Sequence, residues 1–238
     1  MKGSPKAPKA SAPQRAPAPN SPVLVLDTGS PVSSLAIGCN GECYGHRTFP
    51  LRSAAEELLP QLRTLLKEVG LTFADLGGVV ALQGPGSFTG LRVGLATALG
   101  FHQALALPAT AIGTLPVLAW WGLGERGQEV MVAVDALRGD FFAQLFWRGE
   151  GQNEVLPQAA ARLYSAAELA LSPGRLVGFG LKELLHKAGA EVADAKLAPE
   201  PPALAEQAIP LLPQLDWDPA HLIQPIYFRP PAVTVPKA

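Results

Sequence analysis

Charge is scarce in this chain: Asp, Glu, Lys and Arg make up 16% of its 238 residues, against about a quarter in an average soluble domain. The signs nearly cancel, leaving a net charge of −1, so bulk charge does not drive binding to a polyanion. Cysteine is scarcer still. Cys39 and Cys43 cannot build a disulfide framework, and two thiols alone cannot fill a structural zinc site. His46, His102, His186 and His221 are scattered, with neither H-x-x-x-H nor H-E-x-x-H spacing, so no metal centre is expected. Long apolar runs are also missing. Residues 104–124 carry no charge, but Pro108, Gly113 and Pro116 cut them into short pieces, which argues against a membrane span. The N-terminus has Lys2, Lys6 and Lys9 with no apolar stretch behind them, unlike a secretory signal. A cytoplasmic protein is expected.

What is present is a chain 48% hydrophobic and long enough to bury a sizeable core. Residues 1–21 stand apart in composition. Pro5, Pro8, Pro13, Pro17 and Pro19 alternate with alanines, and Lys2, Lys6, Lys9 and Arg15 meet no acid. Such a segment buries too little apolar surface to offset its ordering entropy, and a disordered basic tail is expected there.

The body opens with Val23-Leu24-Val25-Leu26, a run that suits a strand buried on both faces. After Asp27-Thr28-Gly29-Ser30 a second strand is expected over Val32 to Ile37. Asn40-Gly41 is a strong type I′ hairpin signal, leading to a third strand near Tyr44 to Phe49. Ser53-Ala54-Ala55-Glu56 reads as a capping box opening a helix over 53–69, closed by Gly70, with Pro60 expected to bend it or mark its start. Val79 to Leu82 reads as another buried strand. A Gly-rich turn and a helix over 91–107 follow, then a short strand over Ala109 to Ile112 and a helix from Thr114. The opening pattern then returns. Val130 to Val134 ends in Asp135, a turn at Arg138-Gly139 follows, and Phe141 to Trp147 reads as the returning strand. Strand, aspartate, turn, strand, seen twice, predicts a duplicated α/β fold. The boundaries expected are 22–115 and 116–238, with the C-terminal segment free to pack back on the first half.

Asp27-Thr28-Gly29-Ser30 admits three readings: a strand-end turn, the loop of an aspartic protease, or a phosphate loop between two strands. No second D-[TS]-G occurs, which counts against the protease. Gly84–Gly94 is not a P-loop, because no Lys follows its glycines. Its strand–turn–helix context suits an anion at a helix N-terminus, with Ser87 or Thr89 as cap. The alternative is close packing: Gly90, Gly94 and Ala98 fall four apart on one helix face, where another backbone can approach.

Residues 83–97, Gln-Gly-Pro-Gly-Ser-Phe-Thr-Gly-Leu-Arg-Val-Gly-Leu-Ala-Thr, closely resemble the signature of the TsaB (YeaZ) family. Leu24–Thr28, Glu56-Glu57-Leu58-Leu59-Pro60, Val132-Ala133-Val134-Asp135-Ala136 and Pro225-Ile226-Tyr227 support it. The resemblance implies an α/β fold of two actin/Hsp70/sugar-kinase-like (ribonuclease H-like) halves. It implies a non-catalytic scaffold subunit that binds and activates the homologous catalytic subunit TsaD, with the ATPase TsaE in the larger complex. That complex forms N6-threonylcarbamoyladenosine at position 37 of tRNAs reading codons that begin with A. The helices over 53–69 and 91–107 are the implied heterodimer surface, or a homodimer surface when the chain is alone. On them Gly90, Gly94 and Ala98 would form a groove, with Leu62, Leu66, Leu95 and Leu99 available to fill the seam. Asp27, Thr28, Gly29 and Ser30 would then be a vestigial nucleotide loop. Asp135-Ala136-Leu137-Arg138 stands where an ATP-binding relative would carry a Gly-rich phosphate turn, so no cofactor is expected. Contact with tRNA is expected only through the complex. The alternative is an ATP-dependent phosphotransferase of the same fold.

Overall fold

The computed structural model describes residues 16–123, 129–151 and 153–227. Of the tail expected over 1–21, residues 1–15 lie outside the described part. Residues 16–21 are described against the body: Asn40 donates to the Asn20 side-chain oxygen, and Pro17 lies with Trp217 over Gly78.

The first sheet comprises β1 (Val23–Asp27), β2 (Val32–Cys39), β3 (Glu42–Pro50), β4 (Gly78–Leu82) and β5 (Ala109–Ile112), in the order β3-β2-β1-β4-β5. The β1–β2–β3 pairs are antiparallel, while β4 and β5 run parallel to β1. Asn40 and Gly41 both take positive φ (51° and 86°), the geometry a type I′ turn requires. Helices α1 (Ala54–Glu68) and α2 (Phe88–Leu105) cover one face of this sheet, over Leu24, Leu26, Leu35 and Ile37. The opposite face, carrying Val23, Val25 and Ala36, packs on α3 (Thr114–Gly122) and α6 (Leu204–Ala208). Alternate β1 residues therefore enter different cores, as period-two side chains must. The C-terminal segment thus returns to the first sheet, and Ala205 N–H donates to the buried Ser34 hydroxyl over 3.1 Å.

The second sheet is built from β6 (Glu129–Asp135), β7 (Asp140–Arg148), β8 (Val155–Pro157), β9 (Arg162–Ser165) and β10 (Arg175–Val177). The order is β10-β6-β7-β8, with β9 also on β7. Strand β6 pairs antiparallel with β7 and parallel with β10, as β1 does with β2 and β4. Helices α4 (Ala166–Leu171) and α5 (Leu181–Lys187) pack on it. The fold is α/β with two actin-like sheets.

Two local expectations need correction. Ser53 does not cap α1; it ends a 3-10 turn, and its hydroxyl donates to Pro50 O. The same Ser-x-x-Glu grammar works instead at Ser165–Glu168, where each side chain meets the other's backbone N–H at the start of α4. Helix α2 starts at Phe88, three residues before the expected position, because Ser87 caps it by accepting from Gly90 N–H.

Candidate functional site

The loop after β1 lies directly on the start of α2, and glycine makes this possible. A Cβ on Gly90 would sit 1.8 Å from Thr28 O, and one on Gly94 would sit 2.5 Å from Thr28 Oγ1. Thr28 Oγ1 donates to Gly90 O over 2.7 Å, and Ser87 N–H donates to Gly29 O over 2.8 Å. The glycine series therefore does not form a groove for an outside helix. It seats the chain's own first loop.

The other residues expected at a partner interface are also turned inward. Leu62, Leu66, Leu95 and Ala98 are buried against the first sheet, and Leu99 is half-buried against the same cluster. The reason is the helical period: Leu58, Leu62, Leu65 and Leu66 on α1 and Leu91, Leu95 and Ala98 on α2 recur at three- and four-residue spacing and supply the face that covers the sheet. The residues the two helices turn outward include Leu59 and Arg63 on α1, with Arg92, Ala96 and Gly100 on α2. Gly100 has open space where a Cβ would stand.

Asp27 is fully buried. Its Oδ1 accepts from the backbone N–H groups of Gly29 and Ser30, and Oδ2 has no partner at hydrogen-bond geometry among the described residues. Burial pushes this carboxyl up to about 6, against the pull of Ser30 and Gly29. Asp135, at the equivalent end of β6, accepts from Leu137 N–H over 2.7 Å. Between the two loops lies a cleft of about 730 Å³, lined by Gly29, Phe88, Val134, Leu137, Phe179 and Tyr227 among others. The Phe88 and Tyr227 rings stand 4.9 Å apart at one wall. Among the described residues that line it, Asp135 is the one charged group, and none is basic.

Asp27, Thr28, Gly29 and Ser30 are thus brought together as one loop, with Gly29 and Ser30 at the cleft. That Leu137, Phe179, Leu184 and Tyr227 meet at one cleft was not read from the sequence. They come from three distant segments and share no spacing; the aspartate–turn signal at 135–139 pointed only to the first.

A family model described as TsaD, tRNA N6-adenosine threonylcarbamoyltransferase, matches residues 51–200. A tRNA threonylcarbamoyladenosine biosynthesis protein TsaB from Bacillus subtilis is 30% identical over 168 residues, covering 69% of this chain and 73% of that protein. The chain belongs to the TsaB (YeaZ) family. The TsaB of Escherichia coli is 28% identical over 142 residues, covering 56% of this chain and 62% of that protein. The match thus spans less than two thirds of that relative's length. In three dimensions YeaZ from Pseudomonas aeruginosa superposes with a TM-score of 0.67 at 23% identity, covering 80% of this chain and 90% of that one. For this TsaB-family chain, the TsaD match begins at residue 51 and so leaves out β1 and the Asp27 loop. No helix among the described residues is long and apolar enough to cross a membrane.

Proposed function

We propose that this chain is a non-catalytic scaffold subunit of the machinery that forms N6-threonylcarbamoyladenosine at position 37 of tRNAs reading codons that begin with A. It works by docking on the homologous catalytic subunit TsaD and activating it, with TsaE joining the larger complex and tRNA contacted through that complex. Its two halves are 22–115 and 116–238, and its place is the cytoplasm. The observation that carries this reading is the cleft. A transferase or kinase of this fold must hold phosphates, and a cleft with one carboxylate and no basic residue among its described lining repels them. The names of the relatives supply the pathway.

The docking surface proposed is the outward side of α1 and α2, with Leu59, Ala96 and Gly100 at its centre. Small residues at 96 and 100 let a partner helix approach closely, and the same patch would serve a homodimer when the chain is alone. Reconstitution tests the role. Adding this chain to TsaD, TsaE, tRNA and the small substrates should raise modification at least tenfold over the mixture without it. Unchanged modification, with the chain folded, defeats the proposal. The second reading, an ATP-dependent phosphotransferase, is favoured by the position of the Asp27 loop between two strands.

A further inference from the structure

On the face of the first sheet opposite α1 and α2, three residues with metal-ligand chemistry converge. Cys43 and His46 belong to β3 and Glu206 to α6, and one donor atom from each lies within 4.8 Å of the other two. In a regular strand, residues three apart point to opposite faces. Here the pairing of β2 with β3 steps from Ile37↔Gly45 to Gly38↔Cys43, which leaves Tyr44 as an extra, unpaired residue. That β-bulge re-aims the strand. His46 sits opposite Ala36 and Cys43 opposite Gly38, and positions 36 and 38 share a face. Gly38 fixes which face it is, since a Cβ there would run into Ile209 in the segment that follows α6. Both β3 side chains are therefore carried to the side where Glu206 stands. His46 Nδ1 already lies 3.3 Å from Glu206 Oε2, with side chains 44% and 34% exposed, so an ion can enter from solvent.

We infer that Cys43, His46 and Glu206 form a binding site for a thiophilic divalent transition ion, Zn²⁺ by preference. The donor set is one sulfur, one imidazole nitrogen and one carboxylate oxygen, which suits borderline-soft Zn²⁺ and not Mg²⁺ or Ca²⁺. Tetrahedral Zn²⁺ with bonds of about 2.0–2.3 Å holds its ligands roughly 3.5 Å apart, within reach of small rotations of these side chains. Three protein ligands leave one position for water. Binding deprotonates the Cys43 thiol, and that proton goes to solvent as the Zn–S bond forms. The bound ion ties the returning C-terminal segment to β3 across most of the chain's length, where a clip restricts the unfolded ensemble strongly.

Cobalt reports on this site directly, because a thiolate on Co²⁺ gives a charge-transfer band in the near ultraviolet and a tetrahedral ion gives intense visible absorption. The full chain should take up one Co²⁺ with both signatures and exchange it for Zn²⁺. Cys43→Ser should abolish the near-ultraviolet band and weaken Zn²⁺ binding at least tenfold, with the circular dichroism spectrum unchanged. His46→Gln changes a half-exposed side chain; should the cysteine variant not fold, this one must still show the tenfold loss. Cys39→Ala should keep the band. A wild-type chain without the thiolate band at saturating Co²⁺, or a band that survives Cys43→Ser, overturns the site. So does unchanged affinity in folded His46→Gln.

Discussion

Asp27 sets a pH dependence that is unusual for a carboxylate. Most native carboxylates titrate below their unfolded value and lose stability in acid, whereas burial raises this one from 3.8 to about 6. The folded state therefore binds more protons than the unfolded state between those values, and stability falls as pH rises through that window. About two units correspond to about 3 kcal/mol, present in full below pH 4 and gone above pH 6. Urea unfolding of the wild type and Asp27→Asn at pH 4, 5, 6 and 7 isolates this group. The stability of the wild type relative to the Asp27→Asn variant should fall by about 2–3 kcal/mol across the series; a constant difference means that Asp27 does not titrate there. The strand-end aspartate was legible in the sequence. Its burial was not, because burial comes from α2 settling on the loop through Gly90 and Gly94.

Helix α2 carries two kinds of glycine, and spacing alone does not separate them. Gly90 and Gly94 face the Thr28 backbone and hydroxyl at distances no Cβ tolerates, whereas Gly100 faces open space. Gly94→Glu should therefore unfold the chain without probing any interface. Gly100→Ala should stabilise the isolated chain by about 1 kcal/mol, the ordinary difference between the two residues inside a helix, measured by denaturant midpoint. Gly100→Glu should leave the isolated fold intact, yet weaken association with the catalytic subunit at least tenfold, since burying a carboxylate in a close helix contact costs several kcal/mol. Sedimentation of the mixed proteins reads this out. Undiminished assembly of folded Gly100→Glu removes the outer face of α2 from the interface. The presence of both helices and the succession of strands along the chain could be read from periodicity and turn residues. Which side of each helix faces inward could not, because Leu62 and Leu95 are as suited to a partner as to the sheet until the sheet's position is known.

At the scale of the whole molecule, the repeated strand–aspartate–turn pattern does become two similar sheets, and the two loops do face one cleft. The two sheets share the pairing of their first strands, and the cleft between their loops is largely apolar. Its walls are Phe88, Val134, Leu137, Phe179 and Tyr227, and the single charge among its described lining is the carboxylate of Asp135. The turn after β6 places Leu137 and Arg138 at positive φ (65° and 62°), with Leu137 63% exposed. A triphosphate entering here would lose its hydration, meet a negative group and find no cationic side chain in the described lining. Any magnesium it carried would find the Asp135 carboxylate alone, since Asp27 is fully buried and does not line the cleft. ATP with Mg²⁺ should therefore bind more weakly than about 1 mM, worth at most about 4 kcal/mol. Titration calorimetry on the folded chain at pH 7.5 measures this. Micromolar affinity that disappears in Asp135→Ala would mean the cleft holds nucleotide after all. The phosphotransferase reading would then displace the scaffold, because affinity of that size needs contacts to phosphate that an inert relict of the fold has no reason to keep.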